Sequence, residues 1–347
     1  MSTIKDVAKA AGVSPSTVSR VISDHPRISQ QTKERVRGIM RQMGYHPNAI
    51  ARSLVRQSSF TIGLMMSRSA EQALLNPFFP EIIRGISTVA REFQYSLLLS
   101  TASTLEQEHT ECLQMLRARR VDGVILLASR TRDPLVEDLL AEQYAFVVVG
   151  RVPGRERVYW VNNDNVAAAR EAVNHLILRG HRDIGFVGGP ADFVVTQDRL
   201  EGYRQALAAH GLRFNPQLVQ HSDFSRESGY AAARLLLHGA PGRPRPTAIF
   251  AVDDVLALGV LQAAHDLGLQ VPGDVAVVGF NDIPLAPYLS PPLSSVRIPI
   301  YNMGQEAARL LITVLQGGQP SVPQIVLPAE LVVRASSGAE VLAAERR

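Results

Sequence analysis

One cysteine, Cys112, stands in 347 residues. A single thiol makes neither an internal disulfide nor a cysteine-rich zinc site, and a reducing compartment suits it. No apolar run comes near the roughly 18 residues that cross a bilayer, so no membrane partner is expected. The start, Met1-Ser-Thr-Ile-Lys-Asp-Val, has no apolar h-region, and the expectation is a cytoplasmic protein. The histidines, His175 and His181 among them, fall at no spacing that ligates a metal. No Ser/His/Asp constellation stands out either, so no metal, no cofactor and no catalytic residue are expected. Gly185-Phe-Val-Gly-Gly-Pro is not the GxGxxG fingerprint of a dinucleotide site, which makes an enzyme on a Rossmann-like sheet the remotest functional class.

What is present is the composition of a globular protein, 46% hydrophobic and 20% charged, long enough for two or three domains. The net charge of +4 is unevenly placed: residues 1–58 carry ten Lys or Arg against three acids, +7, which leaves −3 for the rest. Basic charge gathered in one small domain is the electrostatic footprint of nucleic-acid binding. The same stretch reads as a helix-turn-helix. A first helix is expected over Ile4–Ala11, with Thr3 as N-cap and Asp6 favouring its positive end. Gly12 supplies the turn, Ser14 caps a second helix, and Pro15 suits that helix's first position. Val18 and Ile22, four apart, face inward and leave Ser16, Thr17 and Arg20 outward. A third helix is expected over Gln30–Met43, capped by Ser29, with Val36, Ile39 and Met43 on its core face and Gly44 at its end. In the adjoining Tyr45-His-Pro-Asn-Ala-Ile-Ala-Arg-Ser-Leu54, Pro47 breaks the chain and Asn48 can cap a helix too short to persist alone in water.

From Phe60 the texture changes. Short apolar runs alternate with helical stretches: Thr61-Ile-Gly-Leu-Met, Tyr95-Ser-Leu-Leu-Leu, Val121 to Leu127, Phe146-Val-Val-Val, then Ile184-Gly-Phe-Val, Ala248-Ile-Phe-Ala-Val and Val275-Ala-Val-Val. Continuous apolar strands between helices indicate parallel sheets covered on both faces, and two series imply two doubly wound lobes. Such sheets bind ligands at the carboxyl ends of their strands, here in a cleft between lobes. Candidate clusters sit just after strands: Asn76-Pro-Phe78-Phe79, Asp198-Arg199, Phe224, Asp253-Asp254 and Asn281-Asp282. A polyhydroxylated ring wants this mixture. Carboxylates and amides bond hydroxyls, a planar Arg reaches two at once, and aromatic rings cover the apolar sugar face. Phe78 and Phe79 also read as core, Arg199 as a salt bridge to Asp198, and Asp254 and Asp282 as caps of the next helices.

Thr3 to Leu54 closely resembles the headpiece of the LacI (lactose-repressor) family of bacterial regulators. Phe60 to Ser337 resembles the same family and periplasmic sugar-binding proteins. The resemblance implies a helix-turn-helix headpiece over 1–46, a hinge over 47–58, and a two-lobed effector-binding and dimerisation domain over 59–340. Three crossovers would make the lobes discontinuous, about 60–162 with 292–324 and 163–291 with 325–340. DNA contacts are implied at Thr3, Ser14, Pro15, Ser16, Thr17, Ser19, Arg20, Ser29, Tyr45, Asn48, Ala51 and Leu54. The second helix would enter the major groove, Ser16 and Arg20 touching base edges, Thr17 and Ser19 bonding phosphates, and Leu54 wedging into the minor groove. Pro15 occupies the family's first reading position and offers no hydrogen bond, which shifts weight to Ser16. Effector contacts are implied at Phe78, Phe79, Arg151, Arg199, Phe224, Asp253 and Asn281, the family often having Asp at the last. The implied partners are double-stranded palindromic operator DNA, a small sugar and a second copy of the chain, since Ser336 to Arg347 is too short for a coiled-coil tail. Asn76-Pro-Phe-Phe, Trp160-Val-Asn-Asn-Asp-Asn-Val and Val194 to Tyr203 look most like the maltose/maltodextrin regulators of the family. The same parts serve an inducible repressor, which is the expectation, or a catabolite-control regulator set by a protein or phosphometabolite corepressor.

Overall fold

The computed structural model describes residues 2–45, 58–67, 70–238 and 245–338. The chain divides into two compact units, residues 1–61 with 115–122, and residues 62–114 with 123–347.

In the first unit three helices form where caps place them: α1 (Ile4–Ala11), α2 (Pro15–Ile22) and α3 (Gln30–Gln42). Thr3 and Asp6 cap each other. Thr3 Oγ1 accepts from Asp6 N at 3.4 Å, and Thr3 N donates to the Asp6 carboxylate at 2.8 Å, so two orphan donors of the first turn are satisfied. Gly12, at φ +62°, turns the chain out of α1 in a conformation that costs glycine nothing. Ser14 then accepts from Thr17 N at 3.1 Å and Ser29 from Thr32 N at 3.3 Å, starting α2 and α3. Val7, Ala8, Ala11, Val18, Val21 and Val36 form the core, with Ile22, Ile39, Met43 and Tyr45 half-buried against it. Val21, not Ile22, is the fully buried partner of Val18; positions three and four apart share a helix face, and Ile22 lies half-buried at its margin. Helix α3 ends one residue earlier than expected, Met43 being its cap.

The second unit is built on strands β1 (Thr61–Met66), β2 (Ser96–Thr101), β3 (Gly123–Leu126), β4 (Phe146–Val149), β5 (Trp160–Asn163), β6 (Ile184–Gly188), β7 (Val219–His221), β8 (Ala248–Ala251), β9 (Ala276–Asn281), β10 (Ser294–Arg297), β11 (Gln324–Leu327) and β12 (Glu330–Val332). They make two six-stranded sheets, ordered β11-β5-β4-β3-β1-β2 and β12-β10-β9-β8-β6-β7. Pairing is parallel from β1 through β3, β4 and β5 to β11, and from β7 through β6, β8 and β9 to β10; β12 runs antiparallel to β10. Seven of the strands are the apolar runs of the sequence, buried along their length apart from β2 and the first residue of β1.

Helices α4 (Ala70–Leu75), α5 (Phe78–Glu92), α6 (Leu105–Arg117), α7 (Pro134–Ala141), α8 (Asn165–Leu178), α9 (Val194–Ala209), α10 (Arg226–Leu237), α11 (Asp254–Asp266) and α12 (Ile300–Leu315) connect the strands. They pack in pairs, α5 with α12, α8 with α9 and α10 with α11. At the first crossing a Cβ on Gly85 would lie 2.1 Å from the Tyr301 carbonyl oxygen and one on Gly304 2.3 Å from that of Ile82, so these backbones touch only because both residues are glycine. The chain leaves the first sheet after β5, returns after β10 and crosses once more between β11 and β12. The return expected near residue 292 comes later. Ser294 and Ser295 are buried beside Val278 and Gly279 of β9, so β10 belongs to the second sheet and the return comes after Arg297. Likewise β11 carries the first sheet to Leu327, past the expected 324.

Candidate functional site

Hydroxyls crowd the start of α2. Ser14 Oγ lies 2.7 Å from Ser16 Oγ and 2.9 Å from Thr17 Oγ1 while it caps Thr17 N. Ser14, Pro15, Ser16 and Arg20 are exposed, Thr17 and Ser19 half-buried. A helix N-terminus presents N–H groups and a positive end, so backbone and hydroxyls here offer donors to a phosphate. Thr3 and Ser29 use their hydroxyls as caps, and Tyr45 packs half-buried on the helices, its N–H donating to Met40 O at 2.9 Å. Asp24, at φ +55°, binds Lys33 at 3.0 Å and Arg37 at 2.7 Å; Lys33 first, then Arg37, hold its carboxyl below the usual range. Asn48, Ala51 and Leu54 lie outside the described residues.

Within the second unit, the seven residues expected at an effector all line one cavity of about 700 Å³, counting its open mouth. Every one comes after or ends a strand, so both sheets contribute to the lining. Asp253 caps α11 through Val255 N at 2.7 Å, and its other oxygen accepts from Asn281 Nδ2 at 2.9 Å and Asn76 Nδ2 at 3.2 Å. Asn76 comes after β1, so the last of these bonds joins the two lobes. Asn281 holds φ at +108°, a strained angle for any residue with a Cβ, and this aims its amide at Asp253.

Arg199 is buried on α9. Its guanidinium stacks 3.5 Å from the Phe280 ring centroid, Nε donates to Asn165 Oδ1 at 2.9 Å, and Nη1 donates to the Val252 carbonyl. Burial pulls it down to about 9 against the pull of Asp253, Asp254 and Asp198, so it remains a cation at neutral pH. Its sequence neighbour Asp198 does not pair with it. Asp198 accepts instead from Arg151 Nη2 at 2.5 Å and Nε at 3.2 Å, a second bond between lobes. Phe78 and Phe79 stand edge to face at 5.4 Å, and Phe193 and Phe224 at 5.9 Å. Phe79 lines the cavity and is also part of the core. The Phe224 ring occupies space that a side chain at Gly189 would fill, since a Cβ there would lie 2.1 Å from its Cζ.

The lacI-family model for bacterial regulatory proteins matches residues 3–48, and the model for a periplasmic binding protein-like domain matches residues 173–337. The HTH-type transcriptional regulator CelR of Thermobifida fusca is 38% identical over 96% of this chain and 98% of its own length. The chain belongs to the LacI family. It is a transcriptional regulator with a DNA-binding helix-turn-helix unit. A second LacI-family relative, the HTH-type transcriptional regulator MalR of Streptococcus pneumoniae, is 41% identical over 285 residues, 81% of this chain and 84% of its own. The solved structure of a transcriptional regulator CelR–cellobiose complex is similar with a TM-score of 0.75 and 36% identity, covering 97% of this chain and 100% of its own.

Several groups of this LacI-family cavity are not evident from its sequence. Asn162, Asn163 and Asn165 line it, all buried, and so does Ser129. Beside them Arg130 bonds Glu108 at 2.9 Å, both under a tenth exposed, and lies 5.1 Å from the Phe193 ring. Backbone bonds from Val194 N to Ser129 O and from Thr131 N to Asp192 O, each 3.0 Å, fasten this corner of the two lobes. Ser129 and Arg130 stand just past the end of β3, as Asp253 stands past β8 and Asn281 ends β9. That position relative to a strand is the signal that marks them. Asp254 and Asp282 are not helix caps. Asp254 is fully buried and accepts from Ile283 N at 2.8 Å and Ser295 Oγ at 2.7 Å, burial pushing its carboxyl up to about 8. Asp282 pairs with Arg334 at 2.7 Å and Arg297 at 2.8 Å. Asp253, one residue earlier, does the capping. Among the described residues no group of three His, Cys, Asp or Glu could hold a metal, and no helix is long and apolar enough to cross a membrane.

Proposed function

We propose that this regulator is a repressor, acting as a dimer on a palindromic operator, and that a glucose disaccharide bound in the cavity releases it. The observation that carries the reading is the lining of the cavity: two carboxylates, two guanidinium groups, amides and four aromatic rings converge where strands of two sheets end. In this reading Phe78, Phe79 and Phe224 cover the apolar sugar faces, and Arg199, Asp253, Asn281 and Arg151 bond hydroxyls. The bonds Asn76–Asp253 and Arg151–Asp198 join the lobes, so a sugar that takes over these groups alters how the lobes are held together. Only a difference in sugar affinity between the DNA-bound and released states can move the equilibrium, and that coupling is reciprocal. Arg20 and Ser16 read base edges, Thr17 and Ser19 with the start of α2 hold phosphates, and Leu54 wedges the minor groove.

Two sugars are the candidates. Cellobiose is the ligand of the CelR complex that this chain resembles. Maltose is favoured by the likeness of Asn76-Pro-Phe-Phe and the Trp160–Val166 segment to maltodextrin regulators. The test is fluorescence anisotropy on a palindrome from upstream of the gene, titrated with each sugar at fixed salt. Release by one sugar supports the reading and names the ligand. Tight binding that neither sugar disturbs overturns the disaccharide reading.

A further inference from the structure

The motif Trp160-Val-Asn-Asn-Asp-Asn-Val has so far no role beyond its likeness to relatives, yet it occupies a decisive place. Strand β5 of the first sheet ends at Asn163, and α8, which packs with α9 beside the second sheet, begins at Asn165. The motif is therefore the first crossover between lobes. Starting α8 does not require its asparagines, because Asp164 is the N-cap, accepting from Ala167 N at 2.9 Å. Three buried primary amides are costly unless each is bonded, so their bonds account for their presence.

Those bonds have one consistent polarity, set by Arg199. A guanidinium only donates, so Asn165 must turn Oδ1 toward Arg199 Nε, which it meets at 2.9 Å. The Asn165 Nδ2 is then committed to donating, and it does so to Asn162 Oδ1 at 3.0 Å and to the Asn163 carbonyl at 3.4 Å. Asn163 Nδ2 closes the cluster on Asn165 Oδ1 at 3.2 Å. Phe280 below fixes the tilt of the guanidinium, and the bonds at Nη1 to the Val252 carbonyl and at Nε to Asn165 hold its direction within that plane from two sides.

We infer that Asn165 is a positioning residue for the effector: it fixes the plane of Arg199 in the cavity and, through Asn162 and Asn163, ties that plane to the first crossover between lobes. The inference rests on the reading of the cavity as a sugar site. It assigns the crossover a chemical reason for its amides, since an aspartate or an alanine at 165 could not both accept from Arg199 and donate to Asn162.

The test uses the full chain with Asn165→Ala and Asn165→Asp and two readouts. One is calorimetric titration with cellobiose and with maltose. The other needs no sugar: the solvent exchange of the Arg199 Nε–H, followed by nitrogen-15 NMR and assigned with Arg199→Lys. Asn165→Ala should weaken sugar binding about tenfold, the loss of one hydrogen bond to a charged group, and speed the exchange. Asn165→Asp keeps the oxygen that Nε needs and should restore both most of the way. A packing role would give the opposite order, because Asp sets two oxygens face to face at Asn162. Exchange and affinity unmoved in Asn165→Ala, or Asn165→Asp worse than Asn165→Ala, overturns the inference. Should the unaltered protein bind neither sugar, the disaccharide reading fails while the exchange rates still decide the role of Asn165.

Discussion

Polar side chains in the headpiece and in the cavity are held in opposite ways. In the headpiece each capping side chain bonds a neighbour three residues away: Thr3 with Asp6, Ser14 with Thr17, Ser29 with Thr32. In the cavity Asn76 reaches Asp253, 177 residues on, and Arg199 reaches back to Asn165. The first set lies at the surface and the second is buried. Surface hydroxyls exchange one another for water at little cost, so the start of α2 can hand Ser14, Ser16 and Thr17 to a phosphate. A buried amide or guanidinium that loses its partner bears the full desolvation penalty. One region is adaptable and the other is set in advance.

That contrast can be broken or sharpened by substitution. Arg199→Ala should have the largest effect, about 100-fold weaker sugar binding from two lost charged hydrogen bonds, with operator affinity unchanged; a normal sugar response would place the ligand elsewhere. Gly189→Ala drives a methyl group into the Phe224 ring and should cost about 1–3 kcal/mol in a urea melt along with sugar affinity. Equal stability of the two chains would show that the ring has room to move. Arg20→Ala should cost about 1–3 kcal/mol of discrimination between operator and random DNA and leave sugar binding alone. If it changed sugar affinity instead, the division of labour between the regions would fall. Thr3→Ala should be the mildest, about 1 kcal/mol of headpiece stability by thermal melting, since water replaces an exposed cap; a loss as large as that of Gly189→Ala would end the claim that the headpiece is adaptable.

The same contrast explains which features are legible in the sequence. Caps and turns act within three or four residues, so Thr3, Gly12, Ser14, Pro15 and Ser29 can be read one by one. Apolar runs announce seven strands. Strands without such a run, such as β5 (Trp-Val-Asn-Asn) and β10 (Ser-Ser-Val-Arg), are buried polar strands whose side chains bond groups on other elements. Ser294 Oγ donates to the Arg334 carbonyl at 2.9 Å and Ser295 Oγ to Asp254 at 2.7 Å. The pairing of Asp198 shows the limit of adjacency. Neighbours on a helix point about 100° apart, so Asp198 faces Arg151 and Arg199 faces Asn165. Asp253 and Asn281 are legible as residues at strand ends, whereas Ser129, Asn162, Asn163 and Asn165 are not, and the bonding of all of them depends on which strand ends meet.

Each sheet is finished by a strand from near the end of the chain: β5 has its outer neighbour only when β11 arrives, and β10 only when β12 does. On a ribosome the headpiece emerges with every contact of its core inside the first 45 residues, while β5 lacks its outer neighbour until Leu327 is made and β10 until Val332. Synthesis that stops between β10 and β11 thus yields a DNA-binding end joined to two unfinished sheets. The bare edges of β5 and β10 mark such a product, since unpaired strand edges invite aggregation. The order of the strands thus leaves the incomplete regulator two pairing edges that the complete chain covers.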